Sequence, residues 1–341
     1  MKSEFIFQAD HNWRSCHSAT ICALENGDLT AAWFAGTKEA AADSVILGSK
    51  KKKDSQKWSP ANAWVNVPHR AAGNPKLFIG PDRALWLIAP VNYGDWCQGG
   101  TRLFMKRSYD HSDSWNDLEF LIEEPRILGK NKPLKLKSGI WIIPAENEVT
   151  WQPVFLRSDD SGATWRLIEV PANDNMVIQP SVVQLTDGSL LAYARSWEGF
   201  IYEIRSKNDG LTWSEPKPTS LPNNNSGLDL TRLNSGHLVL VFNSAGLGVN
   251  VQKNGRRAWG PRNPLVAARS TDEGETWPRQ IVLQQEESTG DYFEDLTDIP
   301  VPSSGEYSYP SIIQSADGMI HIVYTYRRIA IKHVALSEAE F

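Results

Sequence analysis

The chain has 341 residues, of which 41% are hydrophobic and 22% are charged. This length fits two average domains or one large all-β domain, and the composition is that of a folded globular protein rather than a disordered or fibrous one. A formal net charge of −5 gives no general attraction to nucleic acid or to an anionic membrane, so neither is expected as a partner.

The N-terminal residues and the cysteines bear on the cellular compartment. Residues 1–15 lack the apolar core of a signal peptide, and no stretch approaches the roughly 18 apolar residues of a membrane span. The three cysteines, Cys16, Cys22 and Cys97, are too few and too irregularly spaced for a disulfide framework or a zinc site. A reducing cytoplasm is the expected location, and secretion followed by loss of a signal peptide is the alternative.

A short turn pattern recurs along the chain. It reads SKKKKDSQKW at 49–58 in a lengthened form, then SYDHSDSW at 108–115, SDDSGATW at 158–165, SKNDGLTW at 206–213 and STDEGETW at 270–277. An Asp or Asn side chain accepts hydrogen bonds from backbone N–H groups ahead of it, glycine supplies the positive φ of a tight turn, and the closing Trp covers the turn. The closing Trp residues recur about every 50 to 60 residues, near the length of a four-stranded propeller blade.

A second repeat runs in step with the first. Six times a turn signal precedes a short apolar run: NGDLTAAWF (26–34), DRALWLIAPV (82–91), SGIWIIPA (138–145), DGSLLAYAR (187–195), SGHLVLVFN (235–243) and DGMIHIVYTY (317–326). Such runs are typical of buried strands. The two repeats together predict an all-β, six-bladed β-propeller with Asp-box turns, formed by residues 1–341 as a single domain. The N-terminal segment FIFQAD (5–10) is expected to close the ring, and only a short C-terminal helix is anticipated.

Four longer segments carry a family resemblance: CHSATICALENGDL (16–29), IQPSVVQLTDGSLLAYARS (178–196), NNNSGLDLTRLNSGHLVLVFN (223–243) and EYSYPSIIQSADGMIHIVYTYRR (306–328). With the boxes, they resemble the sialidase superfamily, in particular the Asp-box, BNR-repeat sialidase-like proteins. The resemblance covers nearly the whole chain and implies a carbohydrate substrate in the central pocket of the propeller. It also implies an arginine triad for the sugar carboxylate, a tyrosine nucleophile, a glutamate that assists the tyrosine, and an aspartate acid/base.

The resemblance carries the arginine triad over only in part. The position of the first arginine is occupied by His17, and the second arginine is matched by Arg195. The third, expected shortly before the tyrosine, has no counterpart in residues 291–305. One arginine still binds a carboxylate in a bidentate pair, but the redundancy of a triad is absent.

The resemblance also assigns the remaining machinery. The nucleophile is matched by Tyr307, the assisting glutamate by Gln179, and the aspartate by Glu39 or Asp43. Glutamine cannot take a proton, so Tyr307 would lack the carboxylate that assists its ionisation. A tyrosine with an ordinary pKa of about 10 is a poor nucleophile near neutral pH.

The leading hypothesis is an exo-acting glycoside hydrolase that takes a terminal acidic sugar, sialic acid or a uronate, in the central pocket. One alternative is a lyase that cleaves a uronate glycan by β-elimination, with His17 or Tyr307 as base or acid and Arg195 neutralising the carboxylate. A hydrolase with two carboxylates, Glu39 with Asp229 or Glu306, also stays open. A non-catalytic glycan-binding propeller is the remaining alternative.

Further residues are predicted to line the pocket. Trp197 is the first candidate for stacking a sugar ring. Because side chains alternate along a strand, Tyr309 is expected on the same face as Tyr307, with Ser308 on the other. Asp229 has an alternative role in an ion pair with Arg232. No cofactor is expected, although a structural Ca²⁺ is left open. The substrate-binding candidates are Arg195, Gln179, Asn225, Asp229, Trp197, Tyr309 and Arg327.

Overall fold

A computed structural model of the chain describes residues 1–94, 97–171, 176–247, 259–286 and 305–341, with the backbone of two short strands at 252–253 and 256–257. Across this described part, the chain forms six antiparallel sheets of four or more strands and one separate two-stranded hairpin. Neighbouring sheets share hydrophobic clusters, as the blades of a propeller do. The predicted six-bladed, all-β fold is confirmed.

The first half of the chain forms three blades. Strand β1 (Lys2–Gln8) belongs to the last blade. Blade 1 contains β2 (Ser15–Ala23), β3 (Leu29–Gly36), β4 (Val45–Lys51) and β5 (Asn62–Val65). Blade 2 contains β6 (Lys76–Ile79), β7 (Leu85–Asn92), β8 (Thr101–Ser108) and β9 (Glu119–Phe120). Blade 3 contains β10 (Ile127–Leu128), β11 (Leu134–Lys135), β12 (Trp141–Asn147), β13 (Gln152–Ser158) and β14 (Arg166–Glu169).

The second half forms the other three blades. Blade 4 contains β15 (Ile178–Gln184), β16 (Leu190–Arg195), β17 (Phe200–Ser206) and β18 (Lys217–Pro222). Blade 5 contains β19 (Asp229–Arg232), β20 (Leu238–Asn243), β23 (Leu265–Ser270) and β24 (Arg279–Gln284), with the hairpin β21 (Gln252–Lys253) and β22 (Arg256–Arg257) between them. Blade 6 contains β25 (Tyr307–Gln314), β26 (Ile320–Tyr326), β27 (Ala330–Leu336) and β1. A 3₁₀ turn, Glu338–Glu340, follows, and none of the helical structure in the described ranges is long and apolar enough to cross a membrane.

The six apolar runs of the sequence form the second strand of each blade. These strands, β3, β7, β12, β16, β20 and β26, are buried along almost their whole length because blades cover both of their faces. The N-terminal strand β1 pairs antiparallel with β27, with Lys2 opposite Ala335. The predicted closure of the ring is therefore confirmed.

The Asp boxes are turns held by side-chain acceptors. In the box at 158–165, the Asp160 carboxylate accepts from the N–H of Thr164 at 2.9 Å, and Ser158 Oγ accepts from the N–H of Gly162 at 2.8 Å. Gly162 has a φ of 81°, and in the box at 108–115 Ser112 adopts the same left-handed region at 71°. The Asp contribution confirms the prediction, and the box serine adds a second acceptor.

The innermost strands of blades 1, 4 and 6 contain a β-bulge, which apolar periodicity does not show. The pairing register of β25 slips between Ser308 and Ser311, and Tyr309 between them has a φ of 52°, which defines a β-bulge. Gln179 has the same backbone in blade 4, with a φ of 55°. Both stand nine residues before the turn that opens the next strand. The six residues at this position, in blade order, are Ser18, Asn74, Lys130, Gln179, Gly227 and Tyr309.

Candidate active site

Tyr309 lies at the centre of the propeller among residues from several blades. Its phenol oxygen accepts a hydrogen bond from Arg195 Nη1 at 2.5 Å and one from Gln179 Nε2 at 3.3 Å. The ring of His17 lies over it, with 4.2 Å between the ring centroids. Arg195 also donates from Nε to Asn225 Oδ1 at 3.0 Å. The structure thus brings together five residues that the sequence analysis proposed.

Tyr307 does not belong to this group. It is fully buried between blades in a hydrophobic cluster, 5.2 Å from the ring of Tyr326, and this burial raises its pKa. The expectation that Tyr307 and Tyr309 share a face was wrong because the bulge at Tyr309 interrupts side-chain alternation. As a consequence, Ser308, which was expected to face away, contacts Glu306 at 2.9 Å. The geometry moves the candidate nucleophile from Tyr307 to Tyr309.

A second network of charges adjoins Tyr309. Glu306, fully buried, accepts from Arg262 Nη1 at 2.5 Å and from Arg328 Nε at 3.0 Å. Arg328 Nη1 donates to Glu39 at 2.5 Å, and Arg328 Nη2 lies 3.4 Å from His17 Nε2. The guanidinium of Arg328 therefore lies beside His17, the residue at the position where the resembling sialidases have their first arginine.

Arg327 was predicted to line the pocket, and the structure places it elsewhere. It forms an ion pair with Glu286, which follows β24 of blade 5, and remains 30% exposed. Arg327 and Arg328 have φ values of 51° and 55°. These consecutive left-handed residues reverse the direction of the chain, so the inward side chain is that of Arg328.

Three guanidiniums therefore surround Tyr309. The Tyr309 ring centroid is 5.9 Å from Cζ of Arg195 and 5.5 Å from Cζ of Arg262. Arg328 contacts His17, which in turn packs against the Tyr309 ring. Burial, together with the charges of Arg328 and Arg262, lowers the pKa of His17 well below its ordinary value, so its imidazole is neutral at physiological pH. Burial alone would raise the pKa of Glu306, yet Arg328 and Arg262 hold it below the ordinary value. Glu306 is therefore ionised.

Lysines form the floor of the centre. Lys130 is buried and donates to the carbonyl oxygens of Pro310 and Leu228, and its Nζ lies 5.8 Å from the Tyr309 ring centroid. Burial lowers the pKa of Lys130 to about 7. Lys132 Nζ pairs with Asp229 at 2.6 Å. Lys132 is therefore balanced by Asp229, and Lys130 is a buried amine close to the Tyr309 ring.

Asp229 joins three blades beneath the candidate site. Besides Lys132, its carboxylate accepts from Ser181 Oγ at 2.6 Å and from the N–H of Ile312 at 2.9 Å. The alternative pair with Arg232 is not formed, because Arg232 pairs with Glu273 at 2.9 Å. Asp229 therefore fixes the relative position of neighbouring blades.

Two other predicted residues have mainly structural surroundings. Asp43 is exposed and accepts from the N–H of Thr37 at 3.1 Å, so it stabilises the loop after β3. Trp197 is buried and packs against Trp151 and Trp259, with ring centroids 5.5 and 5.6 Å apart. Of the two acid/base candidates, only Glu39 contacts the arginine network.

Sequence reasoning missed several buried charged residues. Lys130 stands at the repeated position of Gln179 and Tyr309, so a comparison of the blades with each other would have found it. Arg262 precedes β23 without any periodic signal. The residues missed are Lys76, Lys130, Glu146, Arg262 and Arg328.

The chain matches the family described as BNR repeat-like domain over residues 27–322. A curated relative, the anhydrosialidase of Macrobdella decora, is 26% identical over 256 residues. The match covers 69% of this chain and 30% of the relative, so it spans less than a third of that protein's length.

Solved structures support the same fold. The Hadza microbial sialidase Hz136 aligns with a TM-score of 0.78 at 16% identity, over 99% of this chain and 69% of that one. The intramolecular trans-sialidase from Ruminococcus gnavus aligns with a TM-score of 0.70 at 16% identity, over 98% and 97% of the two chains. A Dyadobacter fermentans protein of unknown function has a TM-score of 0.75 at 16% identity, over 99% and 98%. At these identities the likeness concerns the propeller fold.

Proposed function

We propose that this chain, which belongs to the BNR repeat-like domain family, is an exo-acting glycosidase that removes a terminal acidic sugar, with sialic acid as the first candidate. The proposal depends mainly on the burial and the hydrogen-bond partners of Arg195. Its guanidinium is 4% exposed, and its hydrogen-bond partners among the described residues, Asn225, Gln179 and Tyr309, are all neutral. A buried cation without an anionic partner favours binding of an anion, and a sugar carboxylate matches a guanidinium in a bidentate pair.

The neighbouring arginines support the same assignment. Arg262 and Arg328 share the ionised Glu306, and Arg328 also donates to Glu39, so each of these two guanidiniums already has a carboxylate partner. Arg195 is the third guanidinium of the centre, and its hydrogen-bond partners include no carboxylate among the described residues. A carboxylate bound between Arg195 and these arginines would lie beside Tyr309, the proposed nucleophile.

Tyr309 has surroundings suited to covalent catalysis. Arg195 and Gln179 both donate to its oxygen, and such donors stabilise negative charge on a nucleophile in the transition state. In the proposed reaction the phenol oxygen attacks the anomeric carbon, the bond to the leaving oxygen breaks, and Glu39 is the candidate acid for that oxygen. Water then attacks the anomeric carbon, the bond to Tyr309 breaks, and Glu39 regains its proton from that water.

The names of similar proteins support sialic acid as the substrate class. One solved structure, a leech intramolecular trans-sialidase, is complexed with 2,7-anhydro-Neu5Ac and aligns over 100% of this chain at 14% identity. The proposed assay should therefore measure both free sialic acid and its 2,7-anhydro form.

Paired tyrosine variants test this proposal. With a fluorogenic α-sialoside, we expect Tyr309→Phe to lower kcat by at least about 10²-fold because the nucleophile is lost. Tyr307→Phe is the matched control, since its hydroxyl lies outside the site, and we expect it to retain activity. Equal loss in both variants, or none in Tyr309→Phe, would contradict the assignment.

A second candidate function is β-elimination from a uronate glycan. It is favoured by Gln179 in place of a carboxylate and by the neutral imidazole of His17, whose ring centroid lies 4.2 Å from that of Tyr309, so that an imidazole and a phenol are neighbours as candidate base and acid. Incubation with uronate oligosaccharides separates the candidates, because elimination yields an unsaturated, ultraviolet-absorbing product and hydrolysis does not. Binding of glycans without any product would instead favour a non-catalytic propeller.

A further inference from the structure

Glu146, near the end of β12, is a buried carboxylate with few polar contacts. It is 2% exposed, and neither carboxylate oxygen has a partner at normal hydrogen-bond geometry in the part of the chain that the structure describes. The backbone N–H of Gln179 approaches it and lowers its pKa, which places Glu146 next to the residue that contacts Tyr309. Glu148, two residues further, is equally buried but accepts from the N–H and the hydroxyl of Thr101, each at 2.8 Å. A buried polar group without a partner is costly, so Glu146 calls for a functional explanation that Glu148 does not need.

The charges around Glu146 connect it to the candidate active site. Lys76 from β6, Arg195 from β16, Glu148 from its own blade and Cys97 from the loop before β8 interact with it. Lys76 is fully buried and donates to the carbonyl oxygen of Gly129 at 2.6 Å. Burial raises the pKa of Glu146 to about 7, against the opposing effects of Lys76 and Arg195. A carboxylate of this kind exchanges a proton near neutral pH.

The other groups near the Tyr309 phenol are less suited to take its proton. Lys130 donates to the oxygens of Asn131, Leu228 and Pro310, which occupies all three N–H groups of its ammonium form. Arg195 and the Gln179 amide, which contact the oxygen, cannot take a proton. Charging His17 is opposed by burial and by the arginines around it. Arg328 and Arg262 lower the pKa of Glu306, so it is a weak base. Glu39 is the candidate acid for the leaving oxygen, so it carries its own proton at this step.

We propose that Glu146 takes the proton that Tyr309 loses when it attacks, replacing the carboxylate that Gln179 lacks. This inference rests on the proposed glycosidase function. The O–H bond of Tyr309 breaks, its oxygen bonds to the anomeric carbon, and the proton passes to Glu146 through a water or a substrate hydroxyl. When water displaces the sugar, Glu146 returns the proton to the Tyr309 oxygen, so the cycle is balanced without any further reactant.

Charge-neutral variants and a rescue test this role. On the fluorogenic sialoside, we expect Glu146→Gln to lower kcat by about 10²- to 10⁴-fold and to remove the ionisation near neutral pH from the pH profile of kcat. Glu148→Gln, the matched control, should keep kcat and its profile while losing stability. The double variant Glu146→Gln/Gln179→Glu should have a kcat at least about tenfold higher than Glu146→Gln alone, because Gln179→Glu returns a carboxylate next to Tyr309. Unchanged kcat in Glu146→Gln, or no rescue, would overturn the proposal.

A stability measurement separates this inference from the proposed function. Because the folded-state pKa of Glu146 is raised, wild-type protein should lose stability as pH rises from 4.5 towards 7, and Glu146→Gln should not. The melting temperature of Glu146→Gln minus that of wild type should therefore become more positive between pH 5 and pH 8. Removing the Glu146 charge also lowers the pKa of Lys76, which shifts this difference in the same direction. If wild type cleaves no acidic glycoside, the proposed function fails, while this difference still reports the proton on Glu146. Parallel pH profiles of stability would show that Glu146 holds no proton and would overturn the inference by themselves.

Discussion

Replacement of Glu306 by glutamine removes the anion that two buried guanidiniums share. Glu306 is fully buried, and Arg262 and Arg328 donate to it at 2.5 and 3.0 Å. Neutralising one partner of a buried ion pair costs about 3–5 kcal/mol, because the remaining charges stay buried without compensation. With an unfolding entropy of about 2.1 cal/mol/K per residue, 341 residues give about 0.7 kcal/mol/K. Glu306→Gln should therefore lower the melting temperature by about 4–7 °C.

The measurement is thermal unfolding at pH 7, where Glu306 is ionised. Glu124→Gln is the matched control, since Glu124 pairs with Arg126 at the surface with 42% of its side chain exposed. A pair of this kind contributes less than about 1 kcal/mol, so the control should shift the melting temperature by little more than one degree. A melting temperature of Glu306→Gln equal to that of the control would refute the view that Glu306 holds the two arginines in place.

Two further substitutions test the framework of the propeller. Ser158→Ala removes the acceptor of the buried Gly162 N–H, and we expect a loss of about 1–3 kcal/mol in the free energy of unfolding, measured in urea, whereas the exposed Ser161→Ala should show no such loss. Burial lowers the pKa of His321 from 6.5 to about 4, so its contribution to wild-type stability is complete above pH 6.5 and is lost as pH falls towards 4. Between pH 7 and pH 5, the free energy of unfolding of His321→Gln should therefore fall by about 2 kcal/mol less than that of wild type. Equal decreases would contradict this reasoning.

The architecture could be predicted because its signals are local and repeated. Each Asp box contains both the acceptor and the left-handed residue of its own turn, as Asp160 and Gly162 illustrate. Each second strand is apolar because blades cover both of its faces, and β1 carries the alternation that lets it complete the last blade. None of these features depends on contacts between distant residues.

The orientation of the central side chains could not be predicted in the same way. Alternation along β25 put Tyr307 and Tyr309 on one face, but the left-handed backbone at Tyr309 interrupts the strand. Tyrosine followed by proline gives no glycine signal for such a bulge. The same difficulty arises at Arg327 and Arg328, because two left-handed residues in succession decide which guanidinium points inward.

Comparison of the blades with each other would have recovered part of the candidate site. Lys130, Gln179 and Tyr309 each stand nine residues before a turn glycine, and the structure brings all three side chains together at the centre. Glu146 and Arg262 lie outside this register and enter the centre from other strands and loops. Their roles depend on charge pairing between blades, which a single sequence does not reveal.

The charges of the centre link its two proposed roles. Arg262 and Arg328 both donate to the ionised Glu306, whereas Arg195 has neutral hydrogen-bond partners in the described part of the chain and Glu146 as a nearby titrating carboxylate. When Glu146 is ionised, it partly compensates Arg195 across the site. A sugar carboxylate bound to Arg195 would take over that compensation and, by repulsion, raise the pKa of Glu146. Substrate binding would thus make Glu146 a stronger base that ionises at higher pH, so the pH profile of kcat should rise at a higher pH than that of kcat/KM, and a neutral sugar should give no such difference.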